Sequence, residues 1–228
     1  NHDIETAYGC YRFEHREEWF SVSSSGFGLL MLALGVPLGR KVETPYLLPP
    51  WIERSLLWQQ RLFLAALFGA EMAAPSTMTG HGYNFSCPVL SMNKLERLRE
   101  NGREFLGQLS SMLADFGVTT RVISERKERV NRRGEVSYRL RLTLSNVSES
   151  LVSLYGTVGF EYNRQRQVLA SQAVAYLKFK QRNLALRQQL AEEIHDFVLA
   201  TGTDGKAVHC AFDRFAPNLG RLVRSGDL

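Results

Sequence analysis

The sequence predicts an α+β fold, in which helices and antiparallel strands follow one another without a regular β-α-β alternation. Two observations carry this. Between residues 120 and 144 apolar and charged side chains alternate around Asn131-Arg-Arg-Gly134, as in a β-hairpin. On either side, apolar residues recur at helical spacing, over 93–116 and again over 166–200. The 228 residues are 44% hydrophobic and 22% charged, which suffices for a packed core and excludes a disordered chain.

The elements follow in order. Residues 1–24 read as strand material, with Tyr11-Arg-Phe13 and Trp19-Phe-Ser-Val22 as short β pieces. Ser23 to Ser25 offer N-caps for an apolar helix, Phe27 to Leu34, closed by Gly35. Pro45, Pro49 and Pro50 predict an extended, helix-free connector. Ile52 to Glu71 reads as one helix that Pro75 cannot continue, and Tyr83 to Met92 as a strand. Asn93 is expected to cap a helix whose apolar side carries Leu95, Leu98, Phe105, Leu109, Met112, Leu113 and Phe116, with Gly117 beyond its end. In the second hairpin strand, Tyr138, Leu140, Leu142 and Leu144 alternate with Ser137, Arg139, Arg141 and Thr143, giving one apolar and one basic face. Ser148 is expected to cap a helix ending near Gly159, and a long helix runs from Arg166 to Ala200, closed by Gly202. These elements divide the chain into residues 1–44, 45–165 and 166–228.

Charge is concentrated. Residues 121–141 hold eight basic side chains against three acids, a surplus equal to the whole net charge of +5. Such a stretch suits a polyanionic partner or forms a solvated hairpin with local ion pairs. The uncharged window Trp19 to Gly39 contains an apolar run, Phe27 to Val36, too short for the roughly 20 residues of a membrane span. Three scattered cysteines without a C-x-x-C pair suggest neither a disulfide framework nor a zinc knuckle. With no secretory leader and Asn1 in first position, the reading is an intracellular protein, processed or excised from a longer one. His209-Cys210 lies in a tail of short, unassigned elements; adjacent side chains point apart in a strand, so no catalytic dyad is expected there.

Leu64-Ala-Ala-Leu-Phe-Gly-Ala-Glu71 places Ala66, Gly69 and Ala70 on one helix face, open to a close-packed second backbone. Glu71 at the helix end opposes the macrodipole unless a cation lies near. It reads equally as a metal ligand or as a solvated terminal glutamate.

This segment resembles the motif of the LAGLIDADG homing endonucleases. Leu64, Ala65, Leu67 and Ala70 fall on its letters and Glu71 on its acidic metal ligand; Ala66, Phe68, Gly69 and Met72 depart from it. Leu34-Gly-Val-Pro-Leu-Gly-Arg-Lys41 with Leu48-Pro-Pro-Trp-Ile52 is similar to the junction between halves of intein-borne members. Phe68-Gly-Ala-Glu71, Pro88-Val-Leu-Ser-Met-Asn-Lys94 and Gly159-Phe-Glu-Tyr-Asn163 look most like inteins of tRNA-splicing RNA ligases.

The resemblance implies an αββαββα half-domain at 45–165 with a curved, four-stranded DNA-binding sheet. Residues 1–44 would be the remnant of a preceding half, and 166–228 a helical extension and tail. It implies an intein-encoded, site-specific DNA endonuclease in which Glu71, with an acid from a second motif helix, holds Mg²⁺ for phosphodiester hydrolysis. Arg121, Lys127, Arg129, Arg132, Arg133, Arg139 and Arg141 would contact double-stranded DNA. Lys94 and Lys178, with Lys180, either stabilise charge at a phosphate or are plain surface charge. No second acidic small-residue helix is evident, and Glu161 reads as structural. The missing half would come from the same precursor or from a homodimer partner. The alternatives are a nucleic-acid-binding protein of this fold that does not cut, or a degenerate intein fragment.

Overall fold

The chain is described here by a computed structural model over residues 2–6, 9–15 and 20–202. The first strands, β1 (His2–Thr6), β2 (Gly9–His15) and β3 (Phe20–Val22), form an antiparallel sheet in that order. Helix α1 (Ser25–Ala33) follows, with the Ser24 hydroxyl accepting the Phe27 amide at 3.3 Å, and none of its residues is buried. The connector is extended, as its prolines require, up to Pro49. Pro50 then opens the short helix α2 (Pro50–Glu53), because proline's missing N–H costs nothing at a first helical position. The expected helix Ile52–Glu71 is therefore two helices. It breaks at Arg54–Leu56 and resumes as α3 (Leu57–Glu71), where the Gln59 side chain accepts the Leu56 amide at 3.1 Å.

After β4 (Thr77–Met78) come β5 (His81–Phe85) and β6 (Val89–Leu95). The single strand expected over Tyr83–Met92 is thus interrupted just before Pro88, which has no N–H to give a ladder. Asn93 does not cap a helix: it lies within β6, paired with Arg139. The helix begins later, with a 3₁₀ turn at Glu96–Leu98 and then α4 (Arg99–Ala114). Beyond it Gly117 takes φ +72°, and the Val118 amide returns to the Leu113 carbonyl at 3.1 Å. The hairpin is β7 (Thr120–Val130) and β8 (Val136–Leu144). Ser148 is the first residue of α5 (Ser148–Val152) and not its cap; a π-helical turn, Ser153–Val158, carries the chain to Gly159. Helix α6 (Arg164–Thr201) starts on the Asn163 side chain and ends at Gly202, φ +63°.

The result is an α+β arrangement, and its central sheet corrects one expectation. It has three antiparallel strands, β6-β8-β7, while β4 and β5 pair only with each other. The isolated Met72–Leu90 bridge ties the end of α3 to the sheet's first edge. One sheet face carries Leu90, Leu140, Leu142 and Leu144 into the core, against Leu64 and Phe68 of α3 and Leu106, Leu109 and Leu113 of α4. Leu151, Leu154, Val158, Phe160 and the Ala170–Leu177 face of α6 complete it. Each fully buried leucine contributes about 2 kcal/mol of transfer free energy. No helix among the described residues is long and apolar enough to cross a membrane. His209, Cys210 and the rest of the tail from Thr203 lie outside the described residues.

Candidate nucleic-acid interface

The sheet face turned away from the core is set by the strand register. Across it run rows of facing residues: Asn93–Arg139–Arg126, then Ser91–Arg141–Ser124, then Val89–Thr143, with Val122 opposite Thr143. The β pleat puts alternate residues on opposite faces, so the leucines of β8 go inward and its arginines outward, as the period-two pattern predicts. The register steps by one residue between Lys127 and Arg129, leaving Glu128 with no partner on β8. Its carboxylate joins the outward face, where Arg139 donates to one oxygen and Arg126 to the other at 3.4 Å.

The expected DNA-contacting residues do not all share this face. Arg139 and Arg141 do, and Arg129 pairs with Ser137 at its end. Arg132 and Arg133 are exposed at the hairpin turn, which the Asn131 side chain holds by accepting the Arg133 and Glu135 amides at 2.9 Å each. Lys127 lies opposite Tyr138, on the other side of the sheet. Arg121 is occupied by Asn146, at 2.8 Å, beside a second irregularity in β7. Arg126 belongs to the face although sequence reasoning did not single it out; the alternation of β7 from Val122 through Ser124 was the signal present.

On the sheet's inner side, basic residues are consumed internally. Glu125 accepts from Arg99 and, at 3.0 Å, from Arg103, and Arg99 lies over the Tyr138 ring at 4.4 Å. The hydrogen bonds from Arg99 and Arg103 hold the Glu125 carboxyl down at about 2, from an ordinary 4.5. A carboxyl whose folded value is depressed stabilises the fold above its unfolded value, and loses that contribution as pH falls through the folded one. Acid unfolding followed by circular dichroism should therefore show stability falling from pH 4.5 towards 2. A Glu125→Gln variant should be flatter over that window. Identical acid limbs would show that the arginines do not act on this carboxylate.

Glu71 closes the helix, where the sequence puts it. It ends α3 with its side chain 44% exposed and paired to Lys41 at 3.3 Å, which supplies the cation that the helix terminus calls for. The small-residue stripe is also divided. Gly69 is buried against the backbone of Glu161, where an added Cβ would lie 2.5 Å from the carbonyl oxygen, whereas Ala70 is exposed. Arg166 reaches from α6 to donate to the Phe68 and Gly69 carbonyls at 3.1 and 2.7 Å, and Asn163 donates to Gly69 at 2.9 Å. Glu161 takes the structural place expected, on Arg61 at 3.2 Å. Among the described residues no three His, Cys, Asp or Glu side chains come together to hold a metal ion. One carboxylate committed to a lysine does not fit Mg²⁺, and no chemical step is assigned through it.

Lys94, expected at a helix start and near a phosphate, is fully buried in β6. Its ammonium donates to the carbonyls of Lys41 (3.0 Å) and Thr44 (2.6 Å) and sits 3.7 Å from the centre of the Tyr46 ring. Burial pushes its pKa down to about 8, and burial together with the Glu71 charge pushes the Tyr46 hydroxyl up to about 12. No phosphate reaches this lysine without unfolding the connector. The signal was present: Lys94 shares the inward parity of Leu90 and Met92. Lys178 is an exposed residue of α6, while Lys180 donates to the Tyr83 carbonyl and the Asn84 side chain at 3.0 and 2.8 Å.

The chain is similar to proteins named tRNA-splicing ligase RtcB. The one from Methanopyrus kandleri is 37% identical over 212 residues, 93% of this chain and 20% of that protein. The one from Pyrococcus furiosus is 31% identical over 214 residues, again 93% of this chain and 21% of that protein. A DNA-directed RNA polymerase subunit Rpo1N of Methanocaldococcus jannaschii is 28% identical over 165 residues, 72% of this chain and 12% of that protein. The chain thus spans about a fifth of the length of the ligase-named relatives it matches. No family model matches, and no solved structure matches. These names correct the function that the resemblance implied. The relatives aligned over 93% of the chain are named as tRNA-splicing ligases, not as intein-encoded homing endonucleases or nucleases.

Proposed function

We propose that this chain is a nucleic-acid-binding segment of a larger tRNA-splicing-ligase-type polypeptide, and that it holds the phosphate backbone of a duplex on the outward face of β6-β8-β7 and the hairpin turn. The observation that carries the reading is the register of that sheet, which gathers Arg126, Arg139 and Arg141 beside Ser91, Asn93 and Ser124 on a face where Arg126, Arg141 and Ser124 are exposed among the described residues. Guanidinium groups supply forked donors and hydroxyl and amide groups supply adaptable ones, the donor set that positions phosphates. The side chain of Arg141 is exposed and has no hydrogen bond or ion pair among the described residues, so its charge remains available. The order α3, β strands, α4, β7-β8 hairpin, α5 supports reading the scaffold as a LAGLIDADG-type half-domain. Alignment of the same chain within proteins named for tRNA splicing and for RNA polymerase supports a role that depends on neither activity.

The test is fluorescence anisotropy of the 228-residue chain with a labelled DNA duplex and, separately, a labelled RNA hairpin, across a salt series. Binding should weaken linearly in log K against log salt. Arg141→Gln, and Arg132→Gln with Arg133→Gln, should each flatten the line by about 0.9 for every duplex-DNA phosphate that the variant leaves unneutralised. Preference between the two probes identifies the duplex. Binding insensitive to salt, or unchanged by these substitutions, overturns the reading.

A further inference from the structure

The outward face contains a contradiction that nucleic-acid binding alone does not explain. Arg126 and Arg139 stand directly opposite each other across β7 and β8, an arrangement of like charges that destabilises an antiparallel pair. Glu128 relieves it. It lies two residues beyond Arg126 on β7, on the same outward face, and accepts from both guanidinium groups at once, one on each carboxylate oxygen. In charge, in acceptor atoms and in its demand for two guanidinium donors, a carboxylate bridging two arginines resembles a phosphodiester bridging the same two.

We infer that Arg126 and Arg139 form the seat of one backbone phosphate, and that Glu128 occupies this seat in the unbound chain as an internal competitor. This rests on the nucleic-acid reading above and adds a regulatory step to it. Binding there exchanges one anion for another, so the pair contributes little to affinity until the carboxylate swings out. Arg141, with only Ser91 and Ser124 across from it, has no such competitor and makes the first contact. The displaced Glu128 lies next to Arg129, an exposed cation opposite Ser137 and able to receive it. The seat therefore opens only to a ligand already held by its neighbours, which disfavours a lone phosphate ion and favours a continuous backbone.

Glu128→Gln is the direct test, measured by anisotropy with the labelled duplex across the salt series. Releasing two partly exposed ion pairs should tighten binding about fivefold. The variant presents the phosphate with one more uncompensated positive charge, so the salt slope should steepen, by about 0.9 if one further phosphate charge is neutralised. Glu135→Gln removes an acid from the same hairpin but from outside the seat, where it accepts from Asn131, and should change affinity less than about twofold. In an Arg126→Gln/Arg139→Gln background the gain from Glu128→Gln should vanish.

Thermal melts monitor folding. If Glu128→Gln does not fold, Glu128→Asp carries the test, since it keeps the charge but is one methylene too short to hold both arginines and should give a smaller gain. Equal affinity of wild type and the Glu128 variants overturns the competitor, as do equal gains from Glu128→Gln and Glu135→Gln; Arg141→Gln would still weaken binding, and the broader reading would stand. If Arg141→Gln also has no effect, the broader reading has failed with it.

Discussion

Replacing Gly69 with alanine is expected to destabilise the chain by about 3 kcal/mol, although alanine is the better helix former by about 1 kcal/mol. The added methyl would lie 2.5 Å from the Glu161 carbonyl oxygen and 3.5 Å from the Asn163 Cβ. The first obstacle is backbone, so the segment between Val158 and Asn163 has to move as a unit. Moving it strains the bonds that satisfy the end of α3: those from Arg166 and Asn163 to the Phe68 and Gly69 carbonyls, and those from Arg61 to Val158 and Glu161. A charged donor withdrawn from a carbonyl costs about 1.5–3 kcal/mol, which outweighs the gain in helix propensity. At this size the loss should appear as a fall in melting temperature of about 8 °C. Gly107 of α4 is the matched control, because an added Cβ meets nothing within 4 Å there. Gly107→Ala should raise the melting temperature, and a Gly69→Ala variant melting like wild type would remove the close approach as the reason for this glycine.

Local pattern made part of this structure readable. Alternation in β8 and the Asn131–Gly134 turn fixed the hairpin and its two faces, and helical spacing with a terminal glycine fixed most of α4 and α6. Asn93 shows where such reading fails. It has the chemistry of a cap and precedes a helical run, yet pairing with Arg139, 46 residues on, holds it in a strand. Strand number failed for the same reason, because nothing within Thr77–Phe85 says whether it joins the central sheet or pairs with itself.

At the candidate site the divide is sharper. An exposed arginine row, with Glu128 on the same face, follows from a period of two, but the register that brings Arg139 opposite Arg126 and within reach of Glu128 has no local marker. Glu71 is read as a ligand or an ion-pair partner only once Lys41, thirty residues away, is placed beside it. The residues misassigned were those whose role is decided by a distant partner.

Lys94 carries the second large expectation, a stability that rises with pH over a window where most proteins show no gain. Its folded pKa is about 8 against an ordinary 10.5. Between those values the unfolded chain binds the proton that the folded chain has released, so the unfolded state holds more protons and stability must increase with pH. Below pH 8 the lysine is charged in both states and the desolvation cost is fully present. Above that pH the cost is progressively relieved, by an amount on the order of 2 kcal/mol. Tyr46, in contact with the same ammonium, acts in the opposite sense. Its hydroxyl is held up at about 12, so above the ordinary 10.0 the unfolded chain loses protons that the fold retains, and stability falls. Tyr155, buried in the core, is shifted the same way and adds to that fall. Urea unfolding at intervals from pH 7 to 11 should therefore trace a rise to a maximum near pH 10, followed by decline. Lys94→Met keeps the volume and removes both the titration and the two carbonyl hydrogen bonds. The variant should be less stable near pH 10 than wild type, and its curve should lack the rise. A wild-type curve that is flat or falling between pH 8 and 10 would mean that the ammonium is solvated, and that the connector from Lys41 to Tyr46 is not held by it.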